Sequence, residues 1–327
     1  MKNIGIVIIG RNEGRRLLNC LDRLKENYQH IVYVDSGSTD SSVEFARSAN
    51  IAIIELDKHI PFTAARSRNE GSYHLLTNYP ELKYLQFIDG DCELLNGWLE
   101  HARQELEGHP ERAIVFGQVT ERHPEKSIYN LLCDIEWNIR IGQTRASGGI
   151  FMIRAKLFKQ IKGFNPSIIA GEELELGYRI RNRGFQIWRI DYPMAIHDAD
   201  ITKFSQWWKR CVRNGFANAQ NFALHGLGRE KFRMRENMRI WLWVILIPLC
   251  VILAANIFSP AFFACFLIYP LQIIRVMIMQ YQKNNDWKLS FYYSLFNLIG
   301  KLPELKGQIQ FILCRALNKQ PEIIEYK

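Results

Sequence analysis

No Cys-x-x-Cys pair occurs in this chain, and its seven cysteines (Cys20, Cys92, Cys133, Cys211, Cys250, Cys265 and Cys314) are scattered and odd in number. That argues against a disulfide framework or a structural zinc site, and for reduced thiols facing a reducing compartment. Two phosphate-binding signatures are missing as well. There is no Gly-x-x-x-x-Gly-Lys-Ser/Thr, and the turn after the first apolar run lacks Gly-x-Gly-x-x-Gly, which excludes a P-loop and a dinucleotide fingerprint. The amino terminus enters an apolar run with a single lysine and no small-residue cleavage site, so no secretory signal is expected. Acids are the scarcer charge: 33 Asp and Glu against 42 Lys and Arg leave a formal charge of +9, which points to anionic partners. With 48% apolar residues the chain is too hydrophobic to be disordered, and 327 residues suffice for one large unit with an appendage or two modest domains.

Most of the positive charge sits in one stretch. Between Lys203 and Arg239 there are nine lysines and arginines and two acids, Glu230 and Glu236. From Ile240 to Ile274 no residue is charged. A single helix of that length would be roughly 50 Å long, beyond a hydrocarbon core of about 30 Å, so the segment must bend. Asn256, Ser259 and Pro260 supply the break. The expectation is a hairpin that spans or re-enters a bilayer, with Trp241 and Trp243 at the interface. Basic residues before it (Arg229 to Arg239) and after it (Lys283, Lys288) put both ends on the cytoplasmic side of the inner membrane. The residues that follow mix apolar and basic side chains and suit an amphipathic tail on the membrane surface.

The first two thirds of the chain read differently. Apolar, β-branched runs at Ile4–Ile9, Ile31–Val34, Ile51–Glu55, Tyr84–Ile88 and Ala113–Phe116 alternate with segments long enough for a helix. That alternation predicts an α/β fold with a mostly parallel sheet flanked by helices. Ligands of such sheets bind beyond the carboxyl ends of the strands. The residues there are Gly10-Arg11-Asn12-Glu13-Gly14, Asp35-Ser36-Gly37-Ser38-Thr39-Asp40 and Asp89-Gly90-Asp91. Each alone is ordinary turn or capping chemistry. Together, two carboxylates one residue apart at a strand end suggest a divalent cation, Mg²⁺ or Mn²⁺, which prefers oxygen ligands and bridges to substrate phosphates.

At this point the chain resembles the family 2 glycosyltransferases, inverting nucleotide-sugar enzymes of the GT-A fold, and in particular their membrane-associated bacterial members. The resemblance runs over about residues 3 to 220 and is carried by IVIIGRNE, VDSGSTDSS, AARSRNEG, FIDGDCEL, SGGIFMIRAKLFKQIKGF, GEELELGYRIRNRGF and IHDAD, in that family's order. It implies that the Gly10-Arg11-Asn12-Glu13 turn, Asp35-Ser36-Gly37 and Asp89-Gly90 hold the nucleotide, with Arg68 near the phosphates. Asp91 becomes the direct metal ligand, and Asp89 contacts ribose or supports the metal shell. A cation there neutralises the charge that builds on a departing nucleoside diphosphate.

Inversion needs one base to take the proton of the attacking hydroxyl. The family usually carries Gly-Glu-Asp-x-x-Leu for this, and the matching segment is Gly171-Glu172-Glu173-Leu174-Glu175-Leu176. Glu173 stands where an Asp is usual, so Glu172 remains an alternative. Acids in the first turn of a helix are also ordinary dipole partners, and Glu175 with Arg179 is an i,i+4 pair. The resemblance further places sugar contacts at Gly148 and Gly149, a metal or diphosphate contact at His197, and diphosphate or acceptor contacts at Trp207, Arg210 and Arg213.

The expectation is therefore a metal-dependent, inverting transferase that moves one sugar from a UDP- or GDP-linked donor to a hydroxyl, with a lipid-linked saccharide in surface polysaccharide assembly as the favoured acceptor. A polyprenyl-phosphate acceptor stays open, as does a nucleotidyltransferase, for which GRNEGRR at Gly10–Arg16 is a poor phosphate loop. A non-catalytic saccharide-binding protein tethered to the membrane is the remaining alternative. Anionic lipid is the expected partner of the basic stretch, and no nucleic acid is expected, because no recognition module is present. The expected domains are a catalytic GT-A domain (1–225), a basic linker (226–239), a membrane hairpin (240–281) and a tail (282–327).

Overall fold

The computed structural model describes residues 3–24, 28–137 and 139–319. Residues 320–327, the end of the expected tail, lie outside them. The chain divides into two compact units, Met1–Asp200 and Ile201–Lys327.

The first unit is built on nine strands: β1 (Ile4–Gly10), β2 (Ile31–Asp35), β3 (Ala52–Glu55), β4 (Tyr84–Asp89), β5 (Cys92–Leu94), β6 (Arg112–Glu121), β7 (Gly142–Thr144), β8 (Phe151–Arg154) and β9 (Gln186–His197). Their order is β3-β2-β1-β4-β8-β6-β9-β5, with β7 on β9. The helices are α1 (Arg15–Leu24), α2 (Ser42–Ser48), α3 (Ala64–Asn78), α4 (Trp98–Gly108), α5 (Ile128–Trp137), α6 (Ala155–Gln160) and α7 (Glu172–Arg181). β1 and β2 are buried along nearly their whole length, as continuous β-branched runs covered on both faces must be. α1 buries Leu17, Cys20, Leu21 and Leu24, a stripe at helical spacing.

The parallel part is β3-β2-β1-β4. Beyond β4 the sheet is mixed: β8 runs antiparallel to both β4 and β6, β9 is parallel to β6, and β5 and β7 are antiparallel to β9. The mixed half joins strands far apart in the chain, such as β4 with β8 and β5 with β9. Register sets the functional edge. Gly10 lies opposite Asp35 and Ile9 opposite Asp89, so the ends of β1, β2 and β4 are level. At the far side His197, the last residue of β9, lies between Cys92 of β5 and Glu121 of β6.

The second unit is helical: α8 (Phe204–His225), α9 (Met234–Trp241), α10 (Ile247–Ile257), α11 (Ile268–Asn284), α12 (Trp287–Ile299) and α13 (Lys301–Ala316). α9 joins α10 through one π-helical turn, Leu242–Leu246. Residues Met234–Ile257 and Pro260–Asn284 form two helices, of 24 and 25 residues, long and apolar enough to cross a membrane. They break where expected: the first ends at Ile257, Ser259 is extended, and the second starts at Pro260 with a 3₁₀ stretch. The Tyr269 hydroxyl donates to the Trp243 carbonyl at 2.6 Å and ties the two arms into a hairpin. Most of its large apolar side chains are exposed, including Leu253, Phe258, Leu271 and Ile274. α13, in the expected tail, packs on α8 at two glycines. A Cβ on Gly215 would lie 1.9 Å from the Glu304 carbonyl oxygen, and one on Gly307 would lie 2.0 Å from that of Val212. Only Gly lets the two backbones come so close.

Candidate active site

The first two strand ends form one hydrogen-bonded edge. Asn12, at φ 55°, donates from its backbone N–H to Ser38 Oγ at 2.9 Å and accepts from the Thr39 N–H at 2.8 Å. The Gly14 N–H donates to Ser42 Oγ at 2.9 Å, and the Ser36 N–H to the Gly10 carbonyl at 3.0 Å. Asp35 is 2% exposed and accepts from Tyr33 Oη, the Gly37 and Ser38 N–H groups and the Ser38 hydroxyl. Its carboxylate therefore organises the turn. The Ser36 hydroxyl pairs with that of Ser67 on α3. The exposed Arg11 lies over the Phe62 ring, and Glu13 pairs with Arg16 at 2.9 Å.

Behind this edge sits a buried ionic cluster. Arg68, on α3 and 2% exposed, donates from Nη1 to Glu172 at 2.6 Å and to Glu173 at 3.3 Å, and from Nη2 to Asp89 at 2.8 Å. Its guanidinium also lies 5.6 Å from the Phe164 ring. The helix that presents the two glutamates starts at Gly171, whose φ of 72° is the left-handed conformation that favours glycine. Gly149 closes the cluster from above: a Cβ there would lie 2.7 Å from both Arg68 Nη2 and Asp89 Oδ2. Open space surrounds Gly148.

One cation among three carboxylates leaves a net negative site. Burial disfavours charge on Arg68, but Asp89, Glu173 and Glu172 hold it protonated beyond its usual range. Burial, with the charge of Glu172 next, pushes the Glu173 carboxyl up to about 7, against the opposing pull of Arg68. The two glutamates thus part company. Glu172 is 4% exposed on the short bond to Arg68, and Glu173 is 17% exposed on the longer one. Glu175, further along α7, pairs with Arg179, as its spacing predicts.

A second cluster lies at the β5–β9–β6 edge. Asp91 Oδ2 is 3.5 Å from His197 Nε2, and Asp91, Cys92 and His197 present potential ligand atoms within 4.8 Å of one another. Cys92 Sγ donates to Asp91 Oδ1 at 3.1 Å. The other imidazole nitrogen, Nδ1, is 3.3 Å from Glu121 Oε2, and the His197 ring makes an edge contact with Trp137 at 4.3 Å. Glu121 in turn accepts from the Ala199 N–H and from Asn130 Nδ2. This carboxylate–histidine–carboxylate line has the form in which an outer carboxylate fixes the orientation of a ligating imidazole. A hard divalent cation suits a carboxylate oxygen with one imidazole nitrogen, whereas a thiol suits softer metals.

The sequence had singled out neither Glu121 nor Trp137. Its reading of the fifth strand stopped at Phe116, whereas β6 continues to Glu121, an acid at a strand end like Asp35 and Asp89. Trp207, Arg210 and Arg213 all lie on α8 in the second unit. Trp207 is buried there, with its ring edge-on to Phe296 at 5.0 Å, and the two arginines are half-buried.

Comparison with known proteins adds to this geometry. A glycosyltransferase of Haloferax volcanii, AglE, is 22% identical over 256 residues, 74% of this chain and 80% of that protein. A mannosyltransferase of Pyrobaculum calidifontis, solved with GDP-Man and Mn²⁺, matches with a TM-score of 0.62 at 14% identity, over 95% of this chain and 87% of its own. Residues 1–349 of S. aureus TarS match with a TM-score of 0.51 at 10% identity, over 97% and 92%. Residues 5–162 match the family model described as glycosyl transferase family 2. With these sequence motifs on this sheet, residues 5–162 match glycosyl transferase family 2 and the fold is that of the GT-A glycosyltransferases.

Proposed function

We propose that this chain transfers a single sugar, with inversion, from a UDP- or GDP-linked donor to a hydroxyl of a lipid-linked saccharide, at the cytoplasmic face of a membrane, for surface polysaccharide assembly. The observation that carries the reading is the ionic cluster around Arg68, in which one carboxyl, Glu173, is raised to about 7 while its neighbours hold the cation. A general base works best when its pKa lies near the operating pH.

In this reading Glu173 takes the proton of the attacking hydroxyl. Glu172 and Asp89 hold Arg68, and Arg68 fixes the position of Glu173. Gly149 lets the backbone lie directly against the cluster, and the open surface at Gly148 leaves room for the donor sugar and the acceptor. The edge from Gly10 to Glu13 and from Asp35 to Gly37, with Gly90, binds the nucleotide, largely through backbone groups, since the Asp35 carboxylate is engaged in its turn. Asp91 and His197, with Asp89 in support, would hold Mg²⁺ or Mn²⁺. The cation, when bound, neutralises charge on the diphosphate leaving group. The GDP-Man and Mn²⁺ bound by the Pyrobaculum mannosyltransferase favour this class of donor and metal. The two apolar helices flanked by basic residues favour the membrane and its cytoplasmic side.

The test is a thermal-shift and hydrolysis panel on the detergent-solubilised full chain, with UDP-, GDP- and dTDP-sugars, each with Mn²⁺, Mg²⁺ or EDTA. Metal-dependent stabilisation by one nucleotide sugar is the expected result. No response to any nucleotide under any condition overturns the transferase reading in favour of a saccharide-binding protein.

A further inference from the structure

A cavity of about 1130 Å³ opens within the helical unit, between α8, α9, the π turn and α13. It exceeds the roughly 300–1,000 Å³ usual for small-ligand sites. Apolar side chains such as Phe222, Leu242 and Phe311 form most of its wall. Three exposed arginines, Arg235, Arg239 and Arg315, share the same lining, and no carboxylate is among the described residues around it. Arg235 and Arg239 are one turn apart on α9, and Arg315 is in the last turn of α13. None of the three has an ion-pair partner among the described residues. One further polar group stands out. Gln308 lines the cavity at 1% exposure, and both its amide nitrogen and its amide oxygen lack a hydrogen-bond partner. A buried unsatisfied amide is costly and calls for a ligand or water to complete it.

We propose that this cavity is a binding site for one anionic diacyl glycerophospholipid of the bilayer. The headgroup phosphate pairs with Arg235, Arg239 and Arg315, an acyl chain fills the apolar groove, and an ester carbonyl accepts from the Gln308 amide. Three features favour this occupant. Three cations in a lining that holds no carboxylate are complementary to a phosphate. Arg235 and Arg239 sit on the first turns of the apolar helix Met234–Ile257, where the charged surface of a leaflet begins. Gln308 offers an unsatisfied amide within a mostly apolar lining, and a diacyl lipid carries ester carbonyls at the head of its acyl chains that can accept from it. An isoprenoid phosphate has no oxygen there. The site does not depend on the catalytic reading.

Native mass spectrometry of the full chain released from detergent tests the proposal with defined lipids. The wild-type protein should retain one phosphatidylglycerol at least about tenfold more tightly than phosphatidylcholine, and the triple variant R235A/R239A/R315A should lose that preference. R235K/R239K/R315K should keep most of it, showing that loss in the alanine variant is not unfolding. Ether-linked phosphatidylglycerol should bind the wild type about threefold or more weakly than the ester, and Q308M should abolish that difference. Equal retention of phosphatidylglycerol and phosphatidylcholine overturns the proposal, as does undiminished retention by the alanine variant. Displacement of phosphatidylglycerol by equimolar polyprenyl phosphate overturns the assignment of the occupant.

Discussion

At the scale of single residues, the decisive feature is the separation of Glu172 from Glu173. Neighbouring acids in one helical turn look equivalent in sequence, and the choice between them stayed open there. Their different distances to one buried arginine separate them. Glu173→Gln is expected to lower turnover by ~10²–10⁴-fold while leaving nucleotide-sugar binding nearly unchanged, measured by steady-state kinetics and donor titration. Glu172→Gln giving that same split would make Glu172 the base. Because the base must be ionised and its carboxyl sits at about 7, the rate should rise with pH through that value. The same shift acts on stability with a definite sign. The folded protein holds the Glu173 proton more tightly than the unfolded chain, whose value is near 4.5. Stability from this group is full below about 4.5 and is lost as pH rises through about 7, by at most ~3 kcal/mol. Glu173→Gln should flatten that slope in urea titrations run at several pH values. Asp91→Ala should abolish metal-dependent stabilisation without unfolding the protein. Glu121→Gln, which loosens the hold on His197 Nδ1, should weaken Mn²⁺ binding by about 10–100-fold in calorimetry.

At the scale of elements, periodicity and composition made much of the first unit readable. The five apolar runs became β1 to β4 and β6, because a β-branched run bounded by turn residues has few other ways to bury itself. The sheet's mixed half was hidden. β5, β7 and β8 have three or four residues each, and which neighbour they pair with depends on contacts far apart in sequence. Glu121 was illegible for the same reason, since its meaning lies in register with His197. Likewise, a motif gives Arg68 its position but not its partners, Asp89, Glu172 and Glu173. The packing of α13 on α8 was also out of reach, because two glycines in separate polar-looking helices carry it. A methyl group at Gly307 collides with the backbone of Val212, so Gly307→Ala should cost ~1–3 kcal/mol or more, seen as a lower thermal midpoint in detergent.

At the scale of the whole molecule, charge and hydropathy patterning describes the chain better than any single motif. The +9 balance is concentrated before a hairpin most of whose large apolar side chains are exposed. Electrostatic adhesion alone is stripped by salt, because exposed charges are screened within about 10 Å at 0.1 M. Burial of two membrane-length helices is not. The full chain should therefore remain in the membrane pellet after washes in high salt and in alkaline carbonate, and appear in the supernatant only with detergent. Release by salt alone would reduce the hairpin to a surface attachment.

The hydrogen bond from Tyr269 to Trp243 connects these scales. In a π turn the amide five residues onward serves each carbonyl, and the residue five beyond Trp243 is Pro248, which has no N–H. The Trp243 oxygen thus loses its donor from its own helix, and the tyrosine of the other arm takes that place. A flaw in one helix has become a pin through both: the arms cannot rotate or slide past each other without orphaning that carbonyl. Tyr269→Phe should free that motion, so that disulfide trapping between cysteines placed along the two arms, specific for one alignment in the parent, would spread over several.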